Sequence, residues 1–140
     1  MHIPRKVPGL KLARLLLGVY FVAWVSLEGN LARVVALALG VALVGAGHGV
    51  QRTLGGRRLT PAAWLALAAT LGLLIGGGTA LLALLFMAVK SGLHAHGPEF
   101  SLAEIGWLLA HLPWWTAGGG LAGLGLGLMA LVKRGDNSEL

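Results

Sequence analysis

The side chains with the best claim to chemistry lie between Lys90 and Trp115, KSGLHAHGPEFSLAEIGWLLAHLPWW. His94 and His96 are spaced i, i+2, which sends both imidazoles to one side of an extended segment. Glu99 follows three residues later, and His111 or Glu104 would complete a ligand set. Imidazole and carboxylate together suit Zn²⁺, Cu²⁺ or Ni²⁺. A metal-handling or small-solute transport protein with an outward-facing histidine cluster (His94, His96, Glu99, His111) is therefore one reading. The other is a wet loop in which these histidines are solvated or titrate near physiological pH. A haem held by His48 is excluded, because the partner histidines would sit a membrane thickness away.

The rest of the chain leaves little room for other chemistry. There is no cysteine, so thiolate ligands, disulfides and thiol redox chemistry are excluded. No phosphate-binding glycine loop, nucleophile elbow, H-E-x-x-H or EF-hand loop occurs. No credible Ser-His-Asp set forms, since Asp136 belongs to the C-terminal tail and the histidine cluster to the other side. An enzyme is not expected, and no resident cofactor is implied beyond a Zn or Cu ion at the histidines.

The elements that must position these residues are apolar helices. Of the 140 residues, 56% are hydrophobic and only 11% charged, with mean hydropathy +0.80. A soluble domain usually carries about 25% charged residues, and a soluble chain this short cannot bury so much apolar surface. The partner is the lipid bilayer. The net charge of +6 does not signal nucleic acid, because the basic residues cap apolar runs and form no stripe of their own.

The predicted fold is one all-α membrane domain over 1–140: four transmembrane helices in a compact bundle plus one short amphipathic interfacial helix. The spans are expected at about 12–28, 31–50, 62–89 and 114–132. The basic start and short apolar run that follows are read as a retained first span, with Arg14 snorkelling. Glu28-Gly29-Asn30 is turn chemistry. Thr60 and Pro61 suit an N-cap and first helical turn. The 28-residue run from Ala62 to Val89 would rise roughly 42 Å, more than the ~30 Å hydrocarbon core. Gly76-Gly77-Gly78 is the expected bend.

Before the last span, Ser101 and Glu104 have capping-box spacing, and Phe100 with Ile105 has staple spacing. The interfacial helix should run over 102–112 and end at Pro113, with Glu104, Trp107 and His111 on one face. Lys90, Trp107, Trp114 and Trp115 are expected as interface anchors at headgroup depth; alternatively Lys90 pairs with Glu99 or Glu104.

Charge sets the orientation. Nine basic residues (Arg5, Lys6, Lys11, Arg14, Arg52, Arg57, Arg58, Lys133, Arg134) fall on one side and two (Arg33, Lys90) on the other. The positive-inside rule then puts both termini in the cytoplasm of a bacterial inner-membrane protein. No Asp, Glu, Lys or Arg lies at mid-depth in any span, whereas proton-coupled transporters usually need such a group for their relay, so one is not expected.

Small residues recur every fourth position: Ala68, Gly72, Gly76 and Ala80 in the third span, Gly119, Gly123 and Gly127 in the fourth, and Gly45 and Gly49 in the second. Such glycine-zipper spacing lets helix backbones approach closely. It either holds the bundle together or presents a face to a second copy or a larger membrane complex. The functional expectation is a small non-enzymatic accessory, assembly or scaffold subunit interacting through glycine-rich faces.

Overall fold

The computed structural model describes residues 1–27, 30–93 and 99–136. They form four helices: α1 (Leu10–Ser26), α2 (Leu31–Leu54), α3 (Pro61–Leu93) and α4 (Leu102–Asp136). α2, α3 and α4 are long and apolar enough to cross a membrane, and the chain is a helical membrane protein. The fourth expected crossing, over 12–28, corresponds to α1. Its 17 residues rise about 26 Å, short of the ~30 Å hydrocarbon core.

Local chemistry accounts for the helix starts. α1 begins after Gly9, whose φ of 75° is a left-handed value that suits glycine. Asn30 caps α2: its side-chain oxygen accepts from the N–H groups of Ala32 (2.9 Å) and Arg33 (3.3 Å). Thr60 Oγ1 accepts from Ala63 N at 3.2 Å, and Pro61 takes the first position of α3. The capping box of α4 is closed in both directions. Ser101 N donates to Glu104 Oε2 at 2.8 Å, while Glu104 N donates to Ser101 Oγ at 3.2 Å. Phe100 is buried and Ile105 packs on the same core, which completes the staple.

One sequence expectation about the helices is corrected. Pro113 does not end a separate interfacial helix. Residues 102–136 are one helix with the proline inside it, so the expected 102–112 segment is its first three turns. A proline removes one backbone donor and crowds the preceding turn. Packing flanks the proline on both sides: Leu108 is fully buried before it, and Gly119 meets α3 after it. Nearby carbonyls also receive side-chain partners, Trp107 O from the His111 ring and Leu112 O from Thr116 Oγ1, each at 2.8 Å. At Gly76-Gly77-Gly78, where the sequence suggests a bend, α3 stays continuously helical. Its 33 residues rise about 50 Å, so the helix extends well past a hydrocarbon core.

α3 and α4 form the most extensive helix pair, followed by α2 with α3 and α1 with α2. The buried core gathers at one end: Trp24, Val34, Leu37, Ala83, Met87, Phe100 and Leu108. At the opposite end the first residues pair with the α2–α3 connection. Ile3 N donates to Arg57 O (3.0 Å), Gly56 N to Ile3 O (2.8 Å) and Leu59 N to Met1 O (2.7 Å). Ile3 is buried beneath this antiparallel contact. The basic lead of the chain is therefore structured, a pairing that no local pattern announces.

Candidate functional site

Lys90 closes α3, and the structure does not let it snorkel. Its side chain is 0% exposed. Nζ lies 3.1 Å from Glu99 Oε2 and donates to the carbonyl oxygens of Trp24 (3.1 Å) and Leu27. The ammonium also sits 4.9 Å from the centroid of the Trp24 ring, a cation–π distance. The interface-anchor expectation for Lys90 is thus corrected in favour of the alternative pairing with Glu99.

The physical cause lies in α1. That helix has no basic residue in its last turn, so its terminal carbonyls carry an uncompensated partial negative charge. Lys90 supplies the cation from α3. Burying an ammonium is expensive unless it is paired and fully hydrogen-bonded, and here a carboxylate, two carbonyls and a π-face surround it. Trp24, Phe21 and Phe86 add an aromatic cluster with ring centroids 6.0–6.1 Å apart. This array fastens α1 to α3 and to the segment leading into α4. The Trp24 indole N–H is buried without a hydrogen-bond partner among the described residues.

Two further ionisable groups of this end, Glu104 and His111, are also engaged. Glu104 Oε2 also accepts from Ser101 Oγ at 2.9 Å. The His111 ring lies 2.8 Å by Nδ1 from Trp107 O and stacks on Trp107 with centroids 4.2 Å apart. Trp107 in turn meets Trp115 edge-on at 5.9 Å. Of the four residues assigned to a metal, His94 and His96 lie outside the described residues. Glu99 is ion-paired with Lys90, and His111 is stacked on Trp107. Among the described residues no three of His, Asp or Glu come together as a ligand set.

The tryptophans divide. Trp114 and Trp107 are both exposed. Trp115 instead packs against the core. Glu104 separates two hollows. One, of about 810 Å³, is lined by Leu84, Met87, Ser91, Glu99, Phe100 and Ile105 among others. The other, of about 500 Å³, lies against Asn30, Leu31, Trp107 and Trp115.

The small residues of α3 and α4 face each other. A Cβ at Gly72 would collide with the Gly119 carbonyl, and one at Gly76 with the Trp115 carbonyl. A Cβ at Gly119 would lie 3.1 Å from Gly76 Cα, and one at Gly123 would lie 3.2 Å from Gly72 Cα while striking the Ala68 carbonyl. Gly127 meets the Ala68 methyl, and Ala80 is fully buried. The two backbones touch along this antiparallel seam, where van der Waals contact holds apolar helices together. Gly45 and Gly49 do otherwise: a Cβ on either would meet nothing within 4 Å. They line a groove of about 520 Å³ between α2 and α3.

Sequence reasoning missed the Trp24 cage and the pairing at the basic end. A lysine at a helix end opposite a helix lacking its own C-terminal cation was the available signal for the first. The second carried none. No family model, no curated protein and no solved structure matches this chain.

Proposed function

We propose that this protein is a non-enzymatic structural subunit of a cytoplasmic membrane: a four-pass scaffold or assembly factor with both termini in the cytoplasm. The observation that carries this reading is how its polar groups are used. Lys90 and Glu99 close the end of α1, Glu104 closes the cap of α4, and His111 rests on Trp107. Groups that do catalytic or transport work are held near a cleft with unspent bonding capacity; these are spent on holding helices.

The topology is part of the proposal. Residues 1–3, the α2–α3 connection and the C-terminal end of α4 share one end of the molecule, where Arg134 reaches Met1 Sδ at 3.5 Å. That end carries the basic excess, which favours the cytoplasmic side. α1 completes the fourth crossing with Lys11 and Arg14 extending to headgroups. With the α3–α4 glycines turned inward, a partner would meet the outer faces of α1 and α4, where Leu15, Val22, Trp114 and Leu121 are exposed. Affinity purification at native expression, followed by mass spectrometry of crosslinked membranes, tests this. A stoichiometric membrane partner or a defined homo-oligomer is the expected result. A monomer that crosslinks to no protein would overturn the scaffold reading.

A further inference from the structure

The α2–α3 groove and the basic end adjoin each other, and together they describe a ligand. Gly45, Ala46 and Gly49 form one wall of the groove, and Leu67, Leu71 and Leu74 the other. Its lining on α2 runs from Val41 to Leu54, about 20 Å along the helix axis. The wall is almost wholly apolar. Thr53, at the lower end, turns its hydroxyl onto Gly49 O at 2.8 Å. The groove is open because two glycines stand where side chains would close it.

Just below Leu54 the character changes. Arg52, Arg57 and Arg58 flank the α2–α3 connection, and Arg5 and Lys6 arrive beside it on the N-terminal segment; all five are exposed. Residues 1–27 and 30–61 contain no Asp or Glu. The N-terminal segment is held in place by its backbone pairing with residues 56–59 and by Val7 N donating to Gln51 Oε1 at 3.2 Å. A Cβ at Gly55 would lie 3.5 Å from Arg5 Cα, so the segment sits directly against the end of α2. The pairing thus keeps the backbone that carries these cations close to the lower end of a long apolar slot.

We propose that this slot holds one anionic phospholipid, with its phosphate on Arg52, Arg57 and Arg5 and one acyl chain along Gly45 and Gly49. Charge complementarity chooses the occupant. A second copy of this chain would bring its own basic end to the same cluster, and a neutral lipid would leave the cations uncompensated. Basic pockets between transmembrane helices recognise anionic headgroups on these grounds. The proposal does not depend on the scaffold role or on which side of the membrane the basic end faces.

The test is native mass spectrometry of the full-length protein in micelles doped with equal phosphatidylglycerol and phosphatidylcholine of identical chains. Retention of phosphatidylglycerol should exceed that of phosphatidylcholine by about tenfold or more. Arg52→Gln/Arg57→Gln/Arg58→Gln should abolish the preference. Lys11→Gln/Lys133→Gln/Arg134→Gln removes the same charge from other sites at this end and should preserve it. Gly45→Leu/Gly49→Leu fills the slot without changing charge and should reduce retention about tenfold. Circular dichroism of each variant verifies folding, and the exposed arginine set keeps the test decisive should the glycine pair unfold. Equal retention of the two lipids overturns the proposal. So does equal loss in both charge triples, a dimer that Gly45→Leu dissolves in place of a bound lipid, or displacement of the lipid by inorganic phosphate alone.

Discussion

Replacing Lys90 with methionine removes the ammonium while keeping an unbranched side chain of similar length. The ion pair to Glu99 at 3.1 Å, the bonds to the Trp24 and Leu27 carbonyls, and the contact with the Trp24 ring are lost together. Breaking a buried ion pair from one side typically costs about 3–5 kcal/mol. Hydrogen bonds to a charged group are worth about 1.5–3 kcal/mol each. These figures overlap, since both count the desolvation of the same groups, so they are not summed. The expected loss for Lys90→Met is about 3–5 kcal/mol. Glu99→Gln should cost less, about 1–2 kcal/mol, because Lys90 keeps its carbonyls and an amide oxygen still accepts. The double variant should show coupling of at least about 1 kcal/mol. SDS titration in mixed micelles, followed by tryptophan emission, measures all three. Limited proteolysis between α1 and α2 should show α1 released in Lys90→Met. Variants within about 0.5 kcal/mol of wild type, with additive effects, would show that Lys90 reaches headgroups and that the cage does not hold α1.

Other outcomes follow from the same geometry. Gly72→Leu and Gly119→Leu should separate α3 from α4 and leave no cooperative transition, because a Cβ at either site strikes the facing backbone. Gly118→Leu, where a Cβ meets nothing within 4 Å, should stay within about 0.5 kcal/mol of wild type in the same titration. Asn30→Ala and Ser101→Ala should each cost about 1 kcal/mol through loss of a helix cap, with Ser101→Thr restoring most of it. Ile3→Asp should expose the α2–α3 connection to protease, since Ile3 is buried beneath the backbone pairing.

How much of this was legible in the sequence depended on the range of the forces involved. Helix starts were readable because capping is local: Thr60, Pro61, Ser101, Glu104 and Phe100 sit within a turn of the groups they serve. The glycine spacing signalled close helix approach. Which stripe met which partner was set by packing: α3 against α4 turns Gly72 and Gly119 together, while Gly45 and Gly49 are left lining a groove. Pro113 misled because its cost is local, about 3 kcal/mol, whereas the contacts of Leu108 and Gly119 that offset it belong to the tertiary structure. Lys90 misled for a related reason. A lysine at a helix end ordinarily extends to headgroups, and its acceptors at Trp24 and Leu27 come from more than sixty residues away. The paired N-terminal segment depends on partners 53–58 residues distant. Of the metal reading, His94 and His96 stand outside the described residues, and Glu99 and His111 are engaged in separate contacts.

The arrangement in the membrane is the central claim, and the absence of native cysteine makes it directly measurable. Single cysteines at Arg58→Cys and Ala103→Cys, both exposed, would be labelled with a membrane-impermeant maleimide in intact cells and again after permeabilisation. Labelling at 103 in intact cells, and at 58 only after permeabilisation, is the predicted result. Labelling of both positions under the same condition would mean that α3 does not cross the bilayer, and the reverse pattern would invert the protein; either would contradict the account.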